Sequence, residues 1–199
     1  MNGLVLYIHG KGGTADEALH YCPLFPGYDV TGLDYKARTP WEAKEEFPPV
    51  VGSLRGKYGP AVLIANSIGA YFAMHALAGQ RFDKAFLISP VVDMEKLILG
   101  MMAMAGVTEA DQQKEKEIRT PSGETLTRDY LCYARAHPVR WDIPTEILYG
   151  EKDPVTSFET MSAFAGRIGA GLTVMKDGEH WFHTDAHMKF LDEWIARSL

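Results

Sequence analysis

The chain has 199 residues, 46% of them apolar and 23% charged, which suits one domain with a full core and excludes a disordered or membrane-spanning protein. A formal charge of −6 and a pI of about 5.6, with no run of Lys and Arg, leave no face for nucleic acid. The two cysteines, Cys22 and Cys132, lie far apart without metal-ligand spacing, so neither a disulfide framework nor a metal site is expected; with no basic leader before Leu4 to Ile8, the expected setting is cytoplasmic.

Six short apolar runs read as strands: LVLYIH (4–9), YDVTGLDY (28–35), AVLIANS (61–67), KAFLIS (84–89), TEILYG (145–150) and GLTVMK (171–176). They are rich in Val, Ile, Leu and Tyr and bounded by Gly, Pro or Asp. Several are apolar without alternation, as in strands covered on both faces, and helix-capable stretches separate most of them. The expected fold class is therefore α/β, with a doubly wound, predominantly parallel sheet. Helices are predicted over 40–58, interrupted by Pro48 and Pro49, and over 67–79, 156–168 and 185–199. In the last, Met188, Leu191, Trp194 and Ile195 share one face.

One region breaks this rhythm, because more than fifty residues separate Ser89 from Thr145 where a crossover needs far fewer. An insertion over about 94–140 is expected to form a cap on a single domain. It opens with the Met-rich MEKLILGMMAMAGV, continues through the charged run Glu109 to Arg119, read as a solvated helix face, and closes with a helix capped by Thr127 and ended before Pro138. Leu97, Ile98, Leu99, Met101, Met102 and Met104 are too many apolar groups to expose together. Met101, Met102 and Met104 are candidates for lining a substrate pocket, since flexible thioethers adapt to ligand shape; plain core is the equal alternative.

The stretch LIANSIGAYFAMHAL carries the sharpest signal. An apolar strand turns at Ser67 directly into a helix, with small residues, Ala65 and Gly69, on either side. Such a bend thrusts its central side chain beyond the carboxyl edge of the sheet. The alternative is a serine that only caps a helix. Asp153 follows the fifth strand and His180 the sixth, so a hydroxyl, a carboxylate and an imidazole stand in that order at strand ends. His183 is the rival base and Asp177 the rival acid. The loop HGKGG, His9 to Gly13, follows the first strand and would face the same crevice if that strand lies beside the third. Its glycines let backbone N–H groups turn inward. The amides of Lys11 and Ile68 are the candidate oxyanion donors, the second at a helix N-terminus. The loop lacks the spacing of a nucleotide-binding P-loop.

In type, order and strand position these motifs, the HG loop, the serine bend, GEKDPV and GEHWFH, resemble those of the α/β-hydrolase-fold serine hydrolases across nearly the whole chain. The resemblance implies Ser67 as nucleophile, His180 as base, Asp153 as the acid that orients it, and the insertion as a lid. The family's usual leading hairpin is expected to be missing. It also implies an acyl-enzyme route for a small-molecule ester or thioester, with amides behind them, and no metal or organic cofactor. A module that binds a ligand on this fold without turning it over is the alternative.

Overall fold

The computed structural model describes residues 2–120 and 123–199. Six parallel strands form one sheet in the order β2-β1-β3-β4-β7-β8: β1 (Gly3–Ile8), β2 (Tyr28–Gly32), β3 (Ala61–Asn66), β4 (Lys84–Ile88), β7 (Thr145–Gly150) and β8 (Gly171–Met175). Each of the six predicted strands is present, although the second stops at Gly32. The chain winds from β1 outward to β2, then returns to place β3 on the other side of β1, with Leu6 opposite Leu63. That reversal separates the loops that follow β1 and β3 and opens a crevice at their carboxyl ends.

All of β1 is buried, as strands covered on both faces must be. On one face Val5, Tyr7, Ile64, Phe86 and Leu148 form a core with Leu191, Trp194 and Ile195 of α7 (Asp185–Ser198). Ala18 and Tyr21 join it from a 3₁₀ segment, Ala15–Leu24, that the hydrophobic periodicity does not announce. The helices α1 (Pro40–Arg55) and α2 (Ser67–Ala76) pack on each other, and α2 packs against β3 and β4. The helix α6 (Phe158–Ile168) packs on β8.

The predicted interruption of α1 does not occur: the helix runs through Pro48 and Pro49. Each proline removes one ladder bond. However, Ala43, Phe47 and Val51, four residues apart, are buried along one stripe that holds the helix in place, while Pro49 faces solvent.

The chain divides into two compact units, 2–92 with 140–199, and Asp93–Val139. The second contains α3 (Met94–Ala105), α4 (Glu109–Lys114), β5 (Glu117–Arg119), β6 (Thr125–Thr127) and α5 (Arg128–Ala136). Thr127 caps α5 by accepting from the Tyr130 N–H, and the helix ends before Pro138. The charged run is not one helix face. It breaks after Lys114, and Glu117–Arg119 pairs with Thr125–Thr127 as a short antiparallel ribbon, with Ile118 opposite Leu126. Among the described residues no helix is long and apolar enough to cross a membrane, and Cys22 and Cys132 are exposed free thiols.

Candidate active site

Ser67 begins α2 at the end of β3 with a φ of 50°, a conformation that costs a non-glycine residue about 1–3 kcal/mol. The strain comes from joining a strand to a helix with no intervening loop. Gly69 makes the join possible, because a Cβ there would lie 2.1 Å from the His9 carbonyl oxygen. A second sharp turn, at Ser89 with a φ of 41°, brings the Val91 N–H to the Ser67 carbonyl at 3.1 Å and fixes the bend from the β4 side.

The Ser67 hydroxyl donates to His180 Nε2 at 2.8 Å, and His180 Nδ1–H donates to Asp153 Oδ2 at 2.7 Å. The Asp153 carboxylate is fully buried, and its other oxygen accepts from the amides of Val155 and Thr156 at 2.7 and 3.3 Å. With both oxygens engaged, the carboxylate is held in one orientation and selects the tautomer with its proton on Nδ1. The three residues come from the ends of β3, β7 and β8.

The Asp153 and His180 loops are bound to each other. The Lys152 N–H donates to Gly178 at 2.8 Å and the Glu151 N–H to Met175 at 3.0 Å. Gly150 permits this approach, since a Cβ on it would stand 2.3 Å from the Glu179 carbonyl oxygen. The rivals lie elsewhere: Asp177 pairs with Lys152 at 2.7 Å on the surface, and His183 Nδ1–H donates to the Trp181 carbonyl at 2.8 Å.

The loop after β1 lies against the serine bend, because a Cβ on Gly10 would come within 3.1 Å of Ser67 Cβ. Lys11 follows in a tight turn closed from Gly13 N–H to Gly10 O, with Gly12 at a φ of 78°. Ile68 lies in the first turn of α2. His9 serves this loop as a brace: its ring stacks on Tyr35 at 4.3 Å, its Nδ1–H donates to Gly10 O, and the Tyr35 hydroxyl donates to His9 O at 2.8 Å. Burial, then the carboxylates of Glu46 and Glu17, push the Tyr35 phenol up, so it remains a donor.

Sequence reasoning missed Tyr35, Val91 and the role of Gly150. Only Gly150 leaves a trace, as a glycine closing a strand directly before a polar loop. The methionines of α3 separate: Met102 is buried on one stripe with Met94 and Ile98, Met101 is half-buried, and Met104 is 84% exposed. Among the described residues no group of His, Cys, Asp and Glu could hold a metal.

Neither a protein-family model nor a curated protein sequence matches the chain. Solved structures do. Est1E from Butyrivibrio proteoclasticus, also solved with ferulic acid bound, superposes with a TM-score of 0.79 at 18% identity over 99% of this chain and 86% of its own. Alpha/beta hydrolase domain-containing protein 10 from mouse gives 0.74 at 18% identity, covering 98% and 88%. A lipase-esterase related protein from Clostridium acetobutylicum gives 0.68 at 15% identity, covering 99% and 94%.

Proposed function

Because the chain has the α/β-hydrolase fold, we propose that it is a serine hydrolase cleaving a carboxylic ester or thioester through an acyl-enzyme. The observation that carries this reading is the unbroken hydrogen-bonded line from Ser67 through His180 to the buried Asp153. His180 takes the Ser67 proton as the oxygen attacks the carbonyl carbon. Asp153 keeps the imidazole in the accepting tautomer and stabilises its cation. The amides of Lys11 and Ile68 receive the negative charge that forms on the carbonyl oxygen. His180 then returns the proton to the leaving group and activates water to release the acid.

An alkyl fluorophosphonate, followed by mass spectrometry, tests the reading directly. Stoichiometric modification of Ser67, with both labelling and ester hydrolysis lost in Ser67→Ala, is the expected result. Modification of a different serine would overturn the assignment of Ser67, and no modification of the folded chain would instead favour a ligand-binding module.

A further inference from the structure

Beside the reacting groups, entirely within the larger unit, lies a cavity of about 280 Å³. We propose that it recognises part of the substrate: an aromatic ring carrying a hydrogen-bond donor, hydroxyl or ammonium, which Glu17 accepts. The inference rests on the hydrolase reading for its link to turnover and not for binding itself.

Two of the cavity's lining residues are the chain neighbours of the proposed catalytic groups, Asn66 before Ser67 and Trp181 after His180. Its interior is formed by Tyr7, Tyr21, Phe182 and Leu191, all buried. A dry cavity of about 150 Å³ is known to admit benzene, so this volume accommodates one substituted ring and not a long acyl chain. Trp181, 66% exposed, presents a flat face supported by His183, whose ring stacks on it at 4.2 Å. An indole so exposed at the mouth of an aromatic-walled cavity suits a planar ligand.

The polar groups decide what the ring carries. Tyr7 is buried and keeps its proton, which it donates to Glu17 Oε2 at 2.5 Å. Among the described residues, the other carboxylate oxygen accepts only the Thr14 N–H, at 3.3 Å. A carboxylate offers about four acceptor sites, so Glu17 retains capacity for a donor from a ligand. The two imidazoles of the lining are engaged elsewhere, His20 with Asp192 at 2.7 Å and His183 through Nδ1–H with the Trp181 carbonyl at 2.8 Å, so neither is paired with Glu17. Anionic ligands are therefore disfavoured.

The test titrates four ring compounds of similar size into the full-length Ser67→Ala chain, followed by ligand-observed NMR: 4-methylphenol, its methyl ether, 4-methylbenzylamine and 4-methylbenzoate. The phenol is expected to bind about tenfold more tightly than the ether, a difference of about 1.4 kcal/mol. The amine should also bind ahead of the ether, and the benzoate should be weakest. Glu17→Leu should bring phenol and ether within about twofold of each other. Trp181→Ala, at an exposed position that leaves the core intact, should weaken both about equally, by threefold or more. Equal binding of phenol and ether, the amine behind the ether, the benzoate in the lead, a phenol preference that survives Glu17→Leu, or indifference to Trp181→Ala each overturns the proposal. In the unmodified chain the phenol should slow fluorophosphonate labelling of Ser67 at the concentrations at which it binds, and labelling that proceeds unslowed would detach the cavity from the substrate site. Failure of labelling altogether, with the phenol preference intact, would remove the hydrolase reading and leave the binding site standing.

Discussion

The two compact units are held together by different forces. The larger is a parallel sheet buried on both faces, in which Trp194 meets Phe86 edge to face at 5.3 Å and residues such as Phe47, Leu63 and Phe86 are wholly enclosed. Its stability comes from apolar area and close packing, which salt and acid affect little. The smaller, Asp93–Val139, has among its described residues three helices of 12, 6 and 9 residues and a ribbon of two three-residue strands. Its helices start from side-chain caps at Asp93, Thr108 and Thr127. Exposed Arg135 gathers α3, α4 and α5 by binding Glu95 at 2.7 Å and Glu109 at 2.8 Å through both carboxylate oxygens. Caps and surface ion pairs are local and sensitive to screening, so the smaller unit is expected to open at lower free energy than the sheet.

Trp194→Ala addresses the stronger side of this contrast. Removing a nearly inaccessible indole should cost about 3–5 kcal/mol, seen as a lowered urea midpoint for the cooperative transition of the sheet unit. A loss under about 1 kcal/mol would mean that the sheet core does not carry the stability assigned to it.

Gly150→Ala separates packing from catalysis within the larger unit. The new methyl meets the backbone at Glu179 and must push the two loops apart, at a cost of about 1–3 kcal/mol. Displacing the proposed base by about an ångström should lower kcat on a neutral ester about 10²-fold while KM changes little. An unchanged kcat alongside the expected loss of stability would show that the loop contact is structural only.

Arg135→Ala should leave the main unfolding transition where it is and increase amide hydrogen exchange across 94–136. A shift of the whole transition would erase the distinction between the units.

Acid should sharpen the same distinction by the smallest margin. Hydrogen bonds from Arg135 hold the Glu109 carboxyl below its ordinary value, and those from Thr108 do so for Asp111. Folded-state depression of a carboxylate pKa contributes stability above the unfolded value, and that contribution is lost as pH falls through the folded one. Protection factors in α4 should therefore decline below about pH 4, ahead of those in β1 and β3. Parallel decline in all three would count against it.

The contrast also explains what could be read in the sequence. The central strands β1, β3, β4 and β7 were legible because two-sided burial demands unbroken apolar runs, and a parallel sheet brings all carboxyl ends to one edge; that is why Ser67, Asp153 and His180, distant along the chain, meet. The 3₁₀ segment Ala15–Leu24 was illegible, since it has no 3.6-residue period and contains Pro23, yet it supplies Glu17 and Tyr21 to the cavity. In the smaller unit, each strand of the ribbon has one inward residue, Ile118 or Leu126, too few to show alternation. The helix through Pro48 and Pro49 was hidden because proline marks a lost hydrogen bond, whereas the stripe that outweighs the loss is set by tertiary packing.

The bonds that lace the Asp153 and His180 loops have a consequence for motion. Carboxylate and imidazole ride on adjacent strands, β7 and β8, joined above the sheet by two backbone hydrogen bonds, whereas Ser67 belongs to β3, beyond β4. Thermal displacement of the loops carries acid and base together, so fluctuations concentrate in the 2.8 Å link from Ser67 to His180 and spare the 2.7 Å link from His180 to Asp153. On warming, the link between the Ser67 hydroxyl and the His180 imidazole is therefore expected to lengthen before the link between that imidazole and the Asp153 carboxylate.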